Sequence, residues 1–132
     1  MAIKREDYEA AEAYLQEGLI VARQMGYREN ISALLSNLGT LARHRNQYEQ
    51  AETYFQASLA VARKMGHHER ITTLLNNLGT LARDRGDYIH AKEYLQEGLT
   101  IAIQMGHRER INTLQTHLNT LDDYKQKELQ EK

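Results

Sequence analysis

One segment of this chain is repeated almost unchanged, forty residues further along. Residues 37–48 read NLGTLARHRNQY, and residues 77–88 read NLGTLARDRGDY. When residues 8–47 are laid over residues 48–87, about 24 of the 40 positions are identical. A fixed period of this length is typical of arrays in which each structural unit packs against the next one. The repeat therefore constrains the fold more than any other feature of the sequence.

The third copy, residues 88–127, follows the pattern until about Gln115 and then diverges from it. In this copy Asn119 stands where the earlier copies have glycine, and a polar tail follows. Solenoid arrays need polar ends for solubility. We therefore predict a single domain over residues 1–132, with repeats at 8–47, 48–87 and 88–127 and a degenerate capping helix over 108–132.

Each copy contains two helical patterns. The pattern around Leu78-Gly79 defines what we call the type-A helices, and the pattern of Ala51, Phe55 and Leu59 defines the type-B helices. Their apolar residues recur three or four positions apart, as on the buried face of a helix. The chain has no proline, which favours long helices. We predict six helices, and their bounds are 7–25, 28–44, 47–65, 68–84, 87–105 and 108–129.

Glycine has two roles in this pattern. Gly66 is predicted to end a type-B helix, and Asp87 is predicted to cap the start of the next one. Gly39 and Gly79 instead fall inside type-A helices, where glycine costs about 0.5–1 kcal/mol relative to alanine. Because this cost recurs in register, we expect two helix backbones to approach closely at both positions.

These residues carry a family resemblance. Leu35, Leu38 and Gly39, followed by Ala51 and Phe55, resemble the tetratricopeptide pattern, although leucine replaces its tryptophan and its final proline is missing. The period of forty residues, against about 34 in that pattern, resembles the long repeats of kinesin light chains, Pins-type adaptors and bacterial signalling ATPases or regulators. The resemblance covers essentially the whole chain. It implies an all-α fold, a right-handed solenoid of antiparallel helix pairs.

The exposed stripe of the type-A helices is rich in serine, threonine and asparagine. These residues are weak helix formers, so their local conformational preference disagrees with the predicted helix. Such disagreement is common at functional or crowded positions. In the resembling family the type-A helices line a concave groove, and asparagines bind a peptide backbone. The resemblance implies this role for Asn37 and Asn77. The predicted peptide-binding residues are Ser36, Asn37, Thr40, Arg43, Asn76, Asn77, Thr80, Arg83 and His117.

Two interpretations of this stripe carry equal weight. In the first, the chain binds a protein or peptide segment, and because Arg43 and Arg83 can pair with carboxylates, the segment is acidic. In the second, short polar side chains simply fit a tightly curved inner wall, and the asparagines form hydrogen bonds along the array.

Composition excludes several classes of function. The 17 Lys and Arg residues nearly cancel the 18 Asp and Glu residues, so we expect no nucleic-acid or membrane partner. The longest apolar run has four residues, and the start of the chain lacks an apolar signal core. There is no cysteine, and hence no disulfide framework. These features favour a cytoplasmic protein.

The sequence predicts no enzyme, catalytic residue, cofactor or metal site. His67 and His107 precede type-A helices without the spacing of a metal motif, so we interpret them as turn histidines at helix ends. Asp84 and Asp87 likewise fall at helix ends, where a carboxylate meets water or the helix dipole. No nucleophile with a matching base accompanies them.

Two further hypotheses stay open. The array is a self-assembling or engineered structural protein, in which the helix at 7–25, lacking an upstream partner, mediates self-association. Alternatively it is the sensor region of a multidomain regulator. Both follow from a chain that starts in the middle of a repeat and that we expect to be part of a longer array.

Overall fold

The computed structural model describes residues 4–131, and within them the chain forms six α-helices and no strand. The all-α prediction is thereby confirmed. Every predicted helix is present, and each end lies within two residues of its predicted position. The helices are α1 (Arg5–Met25), α2 (Arg28–His44), α3 (Tyr48–Met65), α4 (His68–Asp84), α5 (Tyr88–Met105) and α6 (Arg108–Gln130). The type-A helices are α2, α4 and α6, and the type-B helices are α1, α3 and α5.

The forty-residue period of the sequence is reproduced in the helix bounds. The start and end of α2 recur forty residues later in α4, and those of α3 recur in α5. Glycine ends each type-B helix in the left-handed conformation, as Gly66 does with a φ of 66°. Asp87 caps α5 as predicted, because its side chain accepts a hydrogen bond from the backbone N–H of His90 at 3.2 Å. The same local signals therefore start and stop the same elements in each copy.

The chain divides into two compact units, Met1–Gly66 and His67–Lys132. In the first unit α2 packs against both α1 and α3. In the second unit α5 packs against both α4 and α6, and α4 also contacts α6. Within each unit, consecutive helices thus form most of the packing, as expected for a repeat. The single-domain organisation over 1–132 stays a prediction.

Each unit has its own apolar cluster. In the first unit Leu19, Leu35 and Leu38 are buried together, with Tyr54 and Val61 of α3 packed against them. The cluster of the second unit comes from all three of its helices, and its buried members are Ala82, Ala91, Leu95, Ala102, Leu114 and Leu121. Two of these members, Ala91 and Ala102 of α5, are completely buried.

The glycines inside the type-A helices are buried against the following type-B helix. A Cβ atom on Gly39 would lie 2.7 Å from two ring atoms of Phe55. A Cβ atom on Gly79 would lie 2.7 Å from Leu95 side-chain atoms and 3.3 Å from the carbonyl oxygen of Ala91. The expected approach of two backbones is therefore wrong for Gly39, where an aromatic ring fills the space, and holds in part for Gly79.

A buried pair of hydroxyls joins α2 to α3. Ser32 and Ser58 are both fully buried, and the hydroxyl of Ser58 donates to the carbonyl oxygen of Ser32 at 2.6 Å. The two hydroxyl oxygens lie 3.0 Å apart. Each buried polar group thus has a partner, which removes the penalty of burying it unpaired. The pairing therefore links α2 to α3 at a buried position.

Candidate functional site

In the first unit the predicted site residues lie on one face of α2. Asn37, Thr40 and Arg43 are spaced three positions apart, and Ser36 is four positions before Thr40, so successive helix turns place them on the same side of the helix. Asn37 and Thr40 are exposed, whereas Ser36 and Arg43 are half-buried. The Thr40 hydroxyl donates to the carbonyl oxygen of Ser36 at 3.1 Å. With its proton committed to the helix, that hydroxyl can only accept a hydrogen bond from a ligand.

In the second unit the corresponding face belongs to α4. Asn76, Asn77 and Arg83 are half-buried. The expectation that Thr80 is exposed is wrong, because it is only 7% exposed and its hydroxyl donates to the carbonyl oxygen of Asn77 at 3.2 Å. A ligand on this face would meet the side chains around Thr80 rather than Thr80 itself.

Arg83 already has two partners at the end of α4. Its Nη2 lies 3.2 Å from Oδ1 of Asp84, and its guanidinium carbon lies 5.7 Å from the centre of the Tyr124 ring. The neighbouring carboxylate offsets part of the positive charge that we expect to attract an acidic ligand. The ring of Tyr124, which the sequence pattern did not single out, holds the guanidinium in place.

The asparagines of the stripe differ in what they contact. Oδ1 of Asn76 lies 2.6 Å from Nδ1 of His117, which links α4 to α6. Asn76 therefore bonds along the type-A helices, as the second interpretation of the stripe expects. The side-chain amides of Asn37 and Asn77, in contrast, take part in no hydrogen bond within residues 4–131. Each keeps two donors and an acceptor for a ligand.

A polar pocket that the sequence analysis missed lies between α4 and α6. Its volume is about 140 Å³, and its lining is formed by Thr72, Thr73, Asn76, Arg110, Thr113 and Leu114. Arg110 donates from Nη1 to the Thr72 hydroxyl at 3.0 Å, and also to the Thr73 hydroxyl. The available sequence signal was the arginine that ends both HHER and HRER, because Arg70 and Arg110 stand forty residues apart.

The histidines before the type-A helices cap those helices. Nδ1 of His67 accepts from the backbone N–H of Arg70 at 3.2 Å, and Nδ1 of His107 accepts from that of Arg110 at 3.4 Å. Their interpretation as turn histidines at helix ends is confirmed. Among residues 4–131 no group of three or more histidine and acidic side chains could hold a metal ion.

The carboxylate of Asp87 is held by the first turn of α5. Its Oδ2 lies 2.6 Å from Nδ1 of His90. Partial burial raises the pKa of Asp87, but the hydrogen bonds from His90 and the charges of His90 and Arg85 outweigh burial. The pKa of this carboxyl therefore lies below its ordinary value of 3.8. A carboxylate with this environment suits a helix cap rather than proton transfer near neutral pH.

Comparison with known proteins identifies the family. The sequence profile of the tetratricopeptide repeat matches residues 1–64 and, in a second match, residues 30–104. The chain belongs to the tetratricopeptide repeat family, whose members as a class are scaffolds for protein–protein interaction. No curated protein matches the chain. Within residues 4–131, no helix combines the length and the apolar character needed to cross a membrane.

A solved structure shares the fold. The crystal structure of BtubC (BKLC) from P. vanneervenii is similar to this chain with a TM-score of 0.79 and 20% sequence identity. The match covers 87% of this chain and 48% of that protein, so this chain spans about half the length of BtubC. The likeness confirms the helical repeat fold that the resemblance to the tetratricopeptide pattern implies.

Proposed function

We propose that the type-A helix face of each unit binds an extended segment of another protein. The observation that carries this proposal is the pair of uncommitted amides, Asn37 on α2 and Asn77 on α4, at the same position of two repeats. A side-chain amide can pair with both the N–H and the C=O of an extended main chain, whatever its sequence. The hydroxyl of Thr40 adds an acceptor beside Asn37.

The segment is acidic in this proposal. Arg43 of α2 and Arg83 of α4 are half-buried on the same helices as the amides. Each lies six residues, or less than two helical turns, beyond the asparagine of its helix. A guanidinium binds a carboxylate through two parallel hydrogen bonds, which gives both energy and orientation. The amides would therefore hold the main chain, and the arginines would select carboxylate side chains beside it.

Binding to a selected peptide tests the proposal. Peptides that bind the wild-type chain are first selected from a random display library. Their affinities for the wild type, Asn37→Ala and Asn77→Ala are then measured by calorimetry. Each substitution removes one or two hydrogen bonds worth about 0.5–1.5 kcal/mol each, so affinity should fall roughly 2- to 150-fold. Circular dichroism should show unchanged helix content, because both side chains lie outside the apolar clusters.

The matched controls are Gln24→Ala and Gln104→Ala, which remove exposed amides from α1 and α5. These variants should bind the selected peptide as the wild type does. Equal affinity of the wild type and both asparagine variants would contradict the proposal. So would a library selection that yields no binding peptide at all.

Self-association through α1 is a second candidate function, and one observation favours it. Tyr14 is 75% exposed, and Val21 and Met25 are more than half exposed. Their counterparts forty residues later in α3 are all half-buried, and two of them pack against the cluster of the first unit. Those counterparts are Tyr54, Val61 and Met65. The same apolar face is thus covered in α3 and open in α1.

Sedimentation velocity over a range of protein concentrations tests this second candidate. A mass that rises with concentration, and that returns to monomer in Tyr14→Lys, would support self-association. The control is Ile89→Lys, which changes an equally exposed apolar residue of α5 and should leave the association intact. A monomer at all concentrations would rule out α1 as a homotypic interface.

A further inference from the structure

The pocket between α4 and α6 contains a guanidinium whose charge has no anionic partner. Within residues 4–131 Arg110 contacts two neutral hydroxyls, those of Thr72 and Thr73, and both contacts use Nη1. Its Nε is buried and has no hydrogen-bond partner. A buried donor without an acceptor destabilises the fold unless a ligand or water supplies that acceptor. Nη2, in contrast, is not buried and has no hydrogen-bond partner among residues 4–131, so Arg110 presents an unmatched charge and one donor that a ligand can reach.

The threonine hydroxyls cannot neutralise this charge. Thr72 and Thr73 each donate their proton to the carbonyl oxygen of Glu69, at 2.8 and 3.0 Å, and so they face Arg110 as acceptors. The Glu69 carboxylate is directed elsewhere, with Oε1 4.0 Å from Nε2 of His107. The two hydroxyls consequently fix the orientation of the guanidinium, and its Nη2 stays without a carboxylate.

Other groups of the pocket complement the same ligand. Because Oδ1 of Asn76 faces His117 at 2.6 Å, the amide NH2 of Asn76 is left to donate. The buried side chain of Leu114 supplies an apolar wall. With a volume of about 140 Å³, the pocket has room for a carboxylate and one or two methylene groups. Its lining contains one cation, which matches one negative charge.

We propose that this pocket binds the carboxylate of an aspartate or glutamate side chain. Nη2 of Arg110 would donate to one carboxylate oxygen, the Asn76 amide would donate to the other, and Leu114 would contact the methylene group. That the carboxylate comes from a bound protein segment rests on the function proposed above. The pocket's affinity for a carboxylate does not, because a single amino-acid derivative can test it.

The probe is N-acetyl-aspartate N-methylamide, titrated into isotope-labelled protein and followed by nuclear magnetic resonance. The Arg110 Nε–H signal and the Asn76 side-chain amide signals should shift and saturate, with dissociation in the millimolar range expected for so small a ligand. The neutral isostere N-acetyl-asparagine N-methylamide should leave both sets of signals in place. Arg110→Gln should weaken binding about tenfold or more, since hydrogen bonds to charged groups are the stronger ones.

Arg108→Gln is the matched control, because Arg108 lies exposed in the same turn of α6. It should bind the probe as the wild type does. Arg110→Lys keeps the charge and loses the planar guanidinium that the two threonines orient, so it should bind between the wild type and Arg110→Gln. An amide spectrum like that of the wild type shows that a variant is folded. If Arg110→Gln does not fold, the affinity of Arg110→Lys for the probe is compared with that of the wild type instead.

Several outcomes would overturn this inference. Equal shifts with the asparagine isostere, shifts that never saturate, or equal binding by Arg110→Gln would each do so. Saturable binding of inorganic phosphate in place of the aspartate derivative would show that the pocket selects a different anion. If the probe binds here while the asparagine variants bind the selected peptide normally, the pocket stands and the proposed peptide face falls.

Discussion

At the scale of single residues, the molecule depends on where a side chain is missing. Gly39 and Gly79 each destabilise their helix relative to alanine. At both positions a Cβ atom would clash with a large side chain of the next helix. The sequence showed that a reason for these glycines had to exist, because their positions recur in register. It could not show that Phe55 rather than a backbone fills the space at Gly39, because periodicity does not specify side-chain direction.

Alanine substitutions should separate these glycines from an ordinary one. Gly39→Ala should lower the free energy of unfolding by about 1–2 kcal/mol, because the strain of overpacking exceeds the gain in helix propensity. At Gly18 a Cβ atom would lie 3.5 Å from Leu34, an ordinary contact. Gly18→Ala should therefore raise that free energy by up to about 1 kcal/mol. Urea denaturation measures both, and a stabilised Gly39→Ala would show that the contact with Phe55 is wrong.

At the scale of helices, local signals are enough to set most boundaries. The predicted bounds 47–65 and 87–105 begin one residue before α3 and α5 do, because the residue that precedes a helix has non-helical dihedral angles. In the same way, Asn46 adopts a φ of 59° where the next copy has Gly86. A boundary that depends on dihedral angles is thus less predictable than the existence of a helix.

The cap of α5 should be measurable by substitution. Asp87→Ala removes the acceptor for the His90 N–H, so it should lower the free energy of unfolding by about 1 kcal/mol. Asp87→Asn keeps a good capping side chain and should lose less. Thermal or urea denaturation near neutral pH compares the three proteins. Equal stability of the wild type and Asp87→Ala would mean that the cap contributes nothing.

The charge of Asp87 should appear in the pH dependence of stability. Because its pKa is lower in the folded chain than its ordinary value of 3.8, the stabilisation is present above pH 3.8 and is lost as pH falls through the folded pKa. The wild type should therefore have the higher free energy of unfolding at pH 6, and its difference from Asp87→Asn, which does not titrate at this position, should shrink as the pH is lowered to 3. Urea denaturation at each pH measures that difference. A constant difference across this range would contradict the direction of the pKa shift.

The candidate site was predictable where it follows the helix period and not elsewhere. Spacing placed Ser36, Asn37 and Thr40 on one face of α2, and the structure agrees. Spacing could not foresee that Thr80 is buried, although its counterpart Thr40 is exposed. Nor could it find Arg110, because its contacts with Thr72 and Thr73 join residues far apart in sequence and off the predicted stripe.

At the scale of the whole molecule, stability resides in contacts between consecutive helices within each unit. Leu78 is 1% exposed in the middle of α4, in the second unit. Replacing it with aspartate buries an unpaired charge, and the loss should exceed about 4 kcal/mol. Ile89→Asp is the control, because Ile89 is 72% exposed and its change should stay within about 0.5 kcal/mol. Thermal melting followed by circular dichroism distinguishes the two, and near-native melting of Leu78→Asp would contradict the assigned register.

The central claim is that the copied helix pair presents its type-A face to another protein. Chemical-shift mapping with a library-selected peptide tests it most directly. Amide signals should change around Asn37 on α2 and around Asn77 on α4, while those of Gln24 and Gln104 on the type-B helices should stay in place. Changes confined to the type-B helices would contradict it.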